Sequence, residues 1–150
     1  MATLLLVRHG ETVHNLQDRF TGWQDVPLTA RGIVQAQRVA DYLAIHYQPQ
    51  ALYASPLVRA LETARIIGQA CGLAPEVMDG LKERGLGQLE GSARAERVAA
   101  VDWNGLLPGG EPTTTFRTRV LAALEAIMHQ HHDETVIIVS HGGPLALFLA

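Results

Sequence analysis

Hydrophobic residues in this chain fall into short continuous runs and into stretches with helical spacing. Residues 4–7 form a continuous apolar run that stops at a charged residue, which is typical of a strand buried on both faces. Residues 51–54 form a weaker run. Residues 135–139 give the clearest strand signal, because they are rich in β-branched side chains. The pattern therefore predicts three buried strands.

Between these runs, apolar residues recur every three or four positions, which predicts helices. The first helix covers about 30–47, with Thr29 as its N-cap. The second follows residues 51–54, with Ser55 as its N-cap and Pro56 in its first turn. Gly72 ends this helix, since glycine readily adopts the left-handed conformation that closes a helix.

The rest of the chain completes an alternation of strands and helices. A helix is predicted over 115–132, and Pro144 begins another after the last strand. Residues 73–112 carry many turn signals, so we expect mostly loop there, with a short strand at 76–78. This order predicts an α/β, three-layer sandwich with a mostly parallel sheet and helices on both faces. We expect a single domain over 1–150.

Charge and composition argue against several functions. The formal net charge of −3 is unlike that of proteins that bind nucleic acid or acidic lipid through a basic face. Cys71 is the only cysteine, and the apolar run before Arg8 is too short for a signal peptide. The apolar stretch 135–150 is interrupted and shorter than the roughly 20 residues that span a bilayer. We expect a cytoplasmic protein without nucleic-acid or membrane partners.

Three predicted strands end in motifs that contain arginine or histidine. Arg8 and His9 follow the first strand, Arg59 lies just after the second, and His141 follows the third. Ligands of open parallel sheets bind at the carboxyl ends of the strands, so we expect these side chains to meet. Two guanidinium groups, a histidine and nearby helix N-termini suit one phosphoryl group.

His9 is the candidate nucleophile at this edge. Neighbouring positive charge disfavours the imidazolium form, which leaves a ring nitrogen free to attack phosphorus. The same cationic groups would stabilise the charge that develops on the transferring oxygens.

Signals for metals and cofactors are weak. The histidine-rich run 129–134 lacks convincing ligand spacing and is typical of a solvated helix end. Residues 85–91 are similar to a dinucleotide fingerprint, but they have one residue too many and no preceding strand. We therefore expect no metal and no cofactor.

Ordered sequence blocks run through almost the whole chain. They are Arg8-His9-Gly10-Glu11-Thr12 with Asn15, residues 20–29, residues 55–60, residues 81–91, residues 108–111 and residues 140–143. A lone Arg-His-Gly motif would be weak evidence of a family. Blocks in this order resemble the phosphoglycerate mutase-like family of the histidine phosphatase superfamily. The resemblance implies that family's α/β fold and phosphoryl chemistry without a metal.

The resemblance also implies roles for individual residues. It implies a phosphohistidine at His9 and a phosphate pocket formed by Arg8, Arg59 and His141, to which Asn15 contributes.

The remaining implied roles lie in two other blocks. Thr21 and Gly22 are expected to bind substrate. Glu83 is implied as the proton donor to the leaving oxygen, although Glu90 lies in the same block and only geometry can separate the two carboxylates.

We expect a phosphomonoesterase that acts through a phosphohistidine intermediate on a small phosphorylated metabolite. The short stretch 92–107 leaves little material for a lid, which favours entry of water and hydrolysis. Residues 20–25 look like those of the mutases, so phosphoglycerate mutase-type transfer is an alternative. A phosphate-binding relative without turnover is a third.

The C-terminal end departs from the family pattern. The chain stops at Ala150, whereas members of the family usually continue and add further strands. A missing strand leaves an exposed sheet edge or apolar helix face. We therefore expect the chain to form homo-oligomers or to be weakly active.

Overall fold

A computed structural model of the chain describes residues 1–97, 101–103 and 107–150. The strands are β1 (Thr3–Arg8), β2 (Ala51–Ala54), β3 (Glu76–Val77) and β4 (Thr135–Ser140). The helices are α1 (Val13–Leu16), α2 (Ala30–His46), α3 (Val58–Cys71), α4 (Arg94–Arg97), α5 (Thr113–Gln130) and α6 (Gly142–Leu149), and two 3₁₀ turns lie at Asp79–Leu81 and Gly87–Leu89.

The four strands form one sheet in the order β1-β4-β2-β3, and each of these pairs is parallel. Ile137 and Val139 of β4 pack with α2 and α3 on one face of the sheet. Val136 and Ile138 pack with α5 on the opposite face. The α/β architecture with a parallel sheet between helical layers is therefore confirmed.

Burial of the first strand differs from the prediction. Leu4, Leu5, Leu6 and Val7 are half-buried, although their continuous apolar run predicts burial on both faces. The reason is topological, since β1 pairs only with β4 and forms an edge of the described sheet. By contrast, β4 lies between β1 and β2, and its residues after Thr135 are buried.

The helix ends follow local capping rules with one exception. Thr29 accepts a hydrogen bond from the backbone N–H of Gly32, and Gly72 closes α3 with φ of 70°, as predicted. Ser55 is not the N-cap of α3, because Leu57 occupies that position without a side-chain cap bond. The Ser55 hydroxyl instead contacts a distant histidine, described below.

The described residues of the predicted loop region 73–112 are mostly irregular, as expected. The short strand is present as β3, which pairs with β2. Helix α5 begins two residues before the predicted start, and α6 begins at Gly142 rather than Pro144. The segment 92–107, predicted to offer little material for a lid, includes residues 98–100 and 104–106, which lie outside the described residues. No helix in the described ranges is long and apolar enough to cross a membrane.

Candidate active site

The carboxyl ends of β1 and β4 bring two histidines together. Arg8 pairs in register with Ser140, and the backbone N–H of His9 donates to the carbonyl of Ser140 at 3.1 Å. The His9 and His141 rings therefore lie side by side, with centroids 5.2 Å apart. The predicted meeting of strand-end histidines is confirmed.

One hydrogen bond sets the tautomer of His9. Its Nδ1 lies 2.7 Å from the carbonyl oxygen of Gly10. A carbonyl oxygen only accepts hydrogen bonds, so Nδ1 carries the proton and Nε2 keeps its lone pair. This is the form of imidazole that a nucleophile requires.

The backbone beside His9 is tightly held. The N–H of Gly10 donates to Thr63 Oγ1 at 3.1 Å. A Cβ on Gly10 would lie 2.5 Å from the carbonyl oxygen of Gly32, a contact that side chains do not tolerate. Glycine thus allows the segment that follows β1 to pass close to α2 beside the His9 ring.

Both histidines are held in the neutral form. Burial lowers the pKa of His9 to about 4, and the charges of Arg59 and Arg8 act in the same direction. His141 is only 1% exposed, and burial, with Arg59 and His9, lowers its pKa well below the usual value. The sequence predicted the effect of neighbouring arginines, while burial is the larger cause.

Arg59 is a buried cation at the start of α3, with 2% exposure. Its Nη2 donates to the carbonyl of Gly22 at 2.8 Å, and its Nη1 donates to that of Gln24 at 2.9 Å. Its Nε has no hydrogen-bond partner among the residues that the structure describes. Burial lowers the Arg59 pKa to about 10, opposed chiefly by the charge of Glu83. The guanidinium remains charged at neutral pH and orders the loop that precedes Asp25.

A cavity of about 480 Å³ opens over His9. Its polar lining includes most of the predicted site residues, namely Arg8, His9, Asn15, Thr21, Gly22, Arg59 and Glu83. Its apolar and aromatic lining comprises Phe20, Leu86, Trp103 and Phe116. His141 does not line the cavity, because it is buried against the His9 ring. The cavity thus has a cationic end with a carboxylate and a wall suited to apolar contact.

Geometry separates the two candidate proton donors. Glu83 lines the cavity and accepts hydrogen bonds from the backbone N–H groups of Arg84 and Gly143. A Cβ on Gly143 would lie 2.1 Å from Glu83 Oε1, so any other residue at this position would displace the Glu83 carboxylate. Glu90 does not line the cavity, and its carboxylate accepts from the N–H groups of Trp23 and Leu86. The position of Glu83 favours it as the donor.

Asn15 also has a local structural role. Its Oδ1 accepts hydrogen bonds from the backbone N–H and the hydroxyl of Thr12, and Thr12 Oγ1 accepts from the Asn15 N–H. This reciprocal arrangement caps α1. Asn15 still lines the cavity, so its predicted contact with phosphate stays a prediction.

A part-buried ion pair that the sequence pattern did not indicate supports Glu83. Arg119 on α5 pairs with Glu111 at 2.6 Å and donates to the carbonyls of Gly80, Lys82 and Glu83. Glu111 belongs to the block 108–111, which was the available signal. Its partner was not evident because Arg119 lies inside a helix with ordinary periodicity.

The histidine-rich end of α5 forms contacts of its own. His131 lies 2.6 Å from Glu134 and 2.8 Å from the hydroxyl of Tyr53. Among the described residues, no three His, Cys, Asp or Glu side chains converge as metal ligands would.

Comparisons with known proteins agree with this geometry. A model of the histidine phosphatase superfamily (branch 1) matches residues 4–150. A metal-independent phosphoserine phosphatase of Arabidopsis thaliana is 39% identical, over 97% of this chain and 67% of its own length. A probable phosphoglycerate mutase of Erwinia tasmaniensis is 37% identical, over 100% of this chain and 74% of its own.

Solved structures show the same fold. That of a putative α-ribazole-5′-P phosphatase from Escherichia coli superposes with a TM-score of 0.86 at 32% identity, covering 100% of this chain and 79% of that one. The chain therefore belongs to the histidine phosphatase superfamily, whose members among these relatives are named as phosphatases and phosphoglycerate mutases.

Proposed function

We propose that this protein hydrolyses a small phosphomonoester through a phosphohistidine formed on His9. The observation that carries the proposal is the orientation of the His9 ring. Its Nδ1–H is bound to the Gly10 carbonyl, so the Nε2 lone pair is available at a cavity lined by Arg8, Arg59 and Glu83.

Binding of the phosphoryl group uses the cationic end of the cavity. Arg8 and Arg59 would bind its oxygens, and charge-assisted hydrogen bonds contribute roughly 1.5–3 kcal/mol each. His141 would add a further donor from beside His9. Thr21, Gly22 and Asn15 would complete the walls around the substrate. These contacts also stabilise charge on the oxygens during transfer.

The first chemical step forms the phosphoenzyme. The lone pair of His9 Nε2 attacks phosphorus, and the bond between phosphorus and the ester oxygen breaks. The bonding pair leaves with that oxygen, which receives a proton from the Glu83 carboxyl. The alcohol departs, and the phosphoryl group stays on His9.

The second step returns the enzyme to its starting state. Water attacks the phosphorus of the phosphohistidine, and the Glu83 carboxylate takes a proton from that water. The bond between phosphorus and Nε2 breaks, inorganic phosphate is released, and Glu83 is again protonated for the next cycle.

Phosphoglycerate mutase-type transfer is the second candidate. The resemblance of residues 20–25 to mutases and the 37% identity to a probable mutase support it. The named phosphatases among the relatives support hydrolysis. The two reactions share the phosphohistidine and differ in whether water or a phosphoglycerate accepts the phosphoryl group.

Product analysis tests the proposed function. The protein is incubated separately with phosphoserine and 3-phosphoglycerate, and products are followed by ³¹P NMR beside a His9→Gln control. Hydrolysis predicts inorganic phosphate in step with substrate loss. Formation of 2-phosphoglycerate without matching phosphate supports the mutase. Calorimetric binding of phosphate with neither product supports a non-catalytic relative.

Self-association and a cytoplasmic location are further proposals. The half-buried edge strand β1 and the exposed Leu149 of α6 support self-association, since unpaired strand edges recruit other chains. The single free cysteine supports a reducing compartment. Light scattering at assay concentration measures the mass, and cell fractionation measures the location. A monomer, or a secreted protein, contradicts the respective proposal.

A further inference from the structure

Ser55 lies between β2 and α3 and is fully buried. Its Oγ is 2.7 Å from Nε2 of His141, and it accepts a hydrogen bond from the backbone N–H of Leu57 at 3.2 Å. The sequence predicted this serine as a helix cap, but its hydroxyl contacts a site histidine that is 86 positions away.

The donors and acceptors around Ser55 Oγ determine which of Ser55 and His141 donates the hydrogen bond between them. The Leu57 N–H is a donor, so it uses one acceptor site of Oγ and leaves the hydroxyl proton available. Within the part of the chain that the structure describes, no other acceptor contacts Ser55 Oγ, and the residue has no access to solvent. If Nε2 carried the proton and donated to Oγ, the hydroxyl proton would be buried without a partner, which costs about 1–3 kcal/mol. Donation from Oγ–H to Nε2 satisfies both of these groups and leaves only Nδ1 of His141 without a partner among the described residues, whereas the reverse direction leaves the hydroxyl proton unpaired as well.

We infer that Ser55 is a positioning residue that holds His141 as the tautomer with its proton on Nδ1. A neutral imidazole carries one ring proton, so acceptance by Nε2 places that proton on Nδ1. His141 then donates from Nδ1 and remains uncharged.

The surroundings of Nδ1 are consistent with a donor that is unpaired until an anion binds. This nitrogen is buried and has no hydrogen-bond partner among the described residues. Its ring packs against His9, on which the phosphoryl group would form. In the alternative tautomer Nδ1 would carry a lone pair and could not donate to a phosphoryl oxygen. The functional consequence of the tautomer rests on the proposed function, whereas the tautomer itself does not.

NMR of the imidazole nitrogens tests the tautomer directly. The protein is labelled with ¹⁵N-histidine and measured near neutral pH without ligand, and His141 is assigned by comparison with His141→Gln. We expect Nδ1 in the protonated, pyrrole-type range and Nε2 in the unprotonated, pyridine-type range. The reverse pattern, or two protonated nitrogens, would overturn the inference.

Matched serine variants separate positioning from simple loss of stability. Ser55→Ala removes the donor to His141, and we expect the His141 nitrogens to average between the two tautomers. Ser140→Ala is the control, because Ser140 is equally buried and its hydroxyl donates to the carbonyl of Leu81 instead. It should leave both His141 signals unchanged. Equal changes in the two variants would show that Ser55 has only a structural role.

Inorganic phosphate provides a functional readout. We expect Ser55→Ala to weaken phosphate inhibition and to lower kcat/KM by about 10- to 100-fold, the range found for partners that orient metal-binding histidines. Ser55→Thr, which keeps the hydroxyl, should restore part of the loss if it folds. If wild type is inactive but shows the predicted tautomer, only the proposed function fails. If wild type is active and Nε2 carries the proton, only this inference fails.

Discussion

The rings of His9 and His141 lie 5.2 Å apart between centroids and are tilted by 57°, although they come from opposite ends of the chain. Parallel pairing of β1 and β4 produces this contact. Both rings share one buried cationic environment, and a proton on either would disfavour a proton on the other. The site therefore favours two neutral histidines, of which His9 is the proposed nucleophile and His141 the proposed donor.

His9 should titrate far below an ordinary histidine. Burial, with help from Arg59 and Arg8, lowers its pKa to about 4, compared with about 6.5 for an unperturbed side chain. An NMR titration of the His9 ring, assigned with His9→Gln, measures the midpoint directly. A midpoint near 6.5 would show that the ring is hydrated and unable to remain neutral as described.

The same shift predicts how stability depends on pH. Between pH 6.5 and about 4, the unfolded chain protonates His9 while the folded chain does not. The free energy of unfolding therefore falls as pH is lowered through this window, by at most about 1.4 kcal/mol per pH unit from this residue. Urea denaturation across the window should show a shallower slope for His9→Gln. An unchanged slope contradicts the linkage.

Substitutions of Glu83 and Glu90 should differ in how much they slow hydrolysis and in how that loss depends on the leaving group. Glu83→Gln removes the proposed acid, so kcat/KM for phosphoserine should fall by about 10²–10⁴. The fall should be smaller for p-nitrophenyl phosphate, whose leaving group needs little protonation. Glu90→Gln is the matched control, since an amide oxygen can still accept from Trp23 and Leu86. A larger loss in Glu90→Gln would reverse the assignment.

Arg119 should stabilise the folded protein through its contacts with Glu111 and with the segment that carries Glu83. Arg119→Met leaves the Glu111 carboxylate, 7% exposed, without its ion-pair partner and frees three carbonyls. We expect unfolding free energy to fall by roughly 3 kcal/mol, the lower end for broken buried pairs because Arg119 is partly exposed. Arg117→Met, on the exposed side of α5, is the control and should have a small effect in the same urea titration. Similar losses in both variants contradict the supporting role.

Local patterns were sufficient to predict the strands and the carboxyl-end cluster. Apolar runs identified β1, β2 and β4, and a parallel sheet then placed His9 and His141 at the same edge, where the pairing of β1 with β4 brings them into contact. The family blocks added Glu83, which periodicity alone does not distinguish from any loop carboxylate.

Other features depend on contacts between distant residues. The partial exposure of β1 follows from its place at the sheet edge, and hydropathy does not encode strand order. Ser55 fits the residue preferences of a helix N-cap, so the sequence did not indicate its hydrogen bond to His141. Arg119 and Glu111 lie eight residues apart, but they act on a third segment that is brought between them only by folding.

The central claim is that His9 carries the phosphoryl group, and trapping the phosphoenzyme tests it most directly. The protein is mixed with ³²P-labelled substrate, quenched in alkali within its turnover time, digested and mapped by mass spectrometry. We predict a label that is stable in base and labile in acid on His9 Nε2, and no label in His9→Gln. Label on another residue, or full turnover by His9→Gln, would contradict the account.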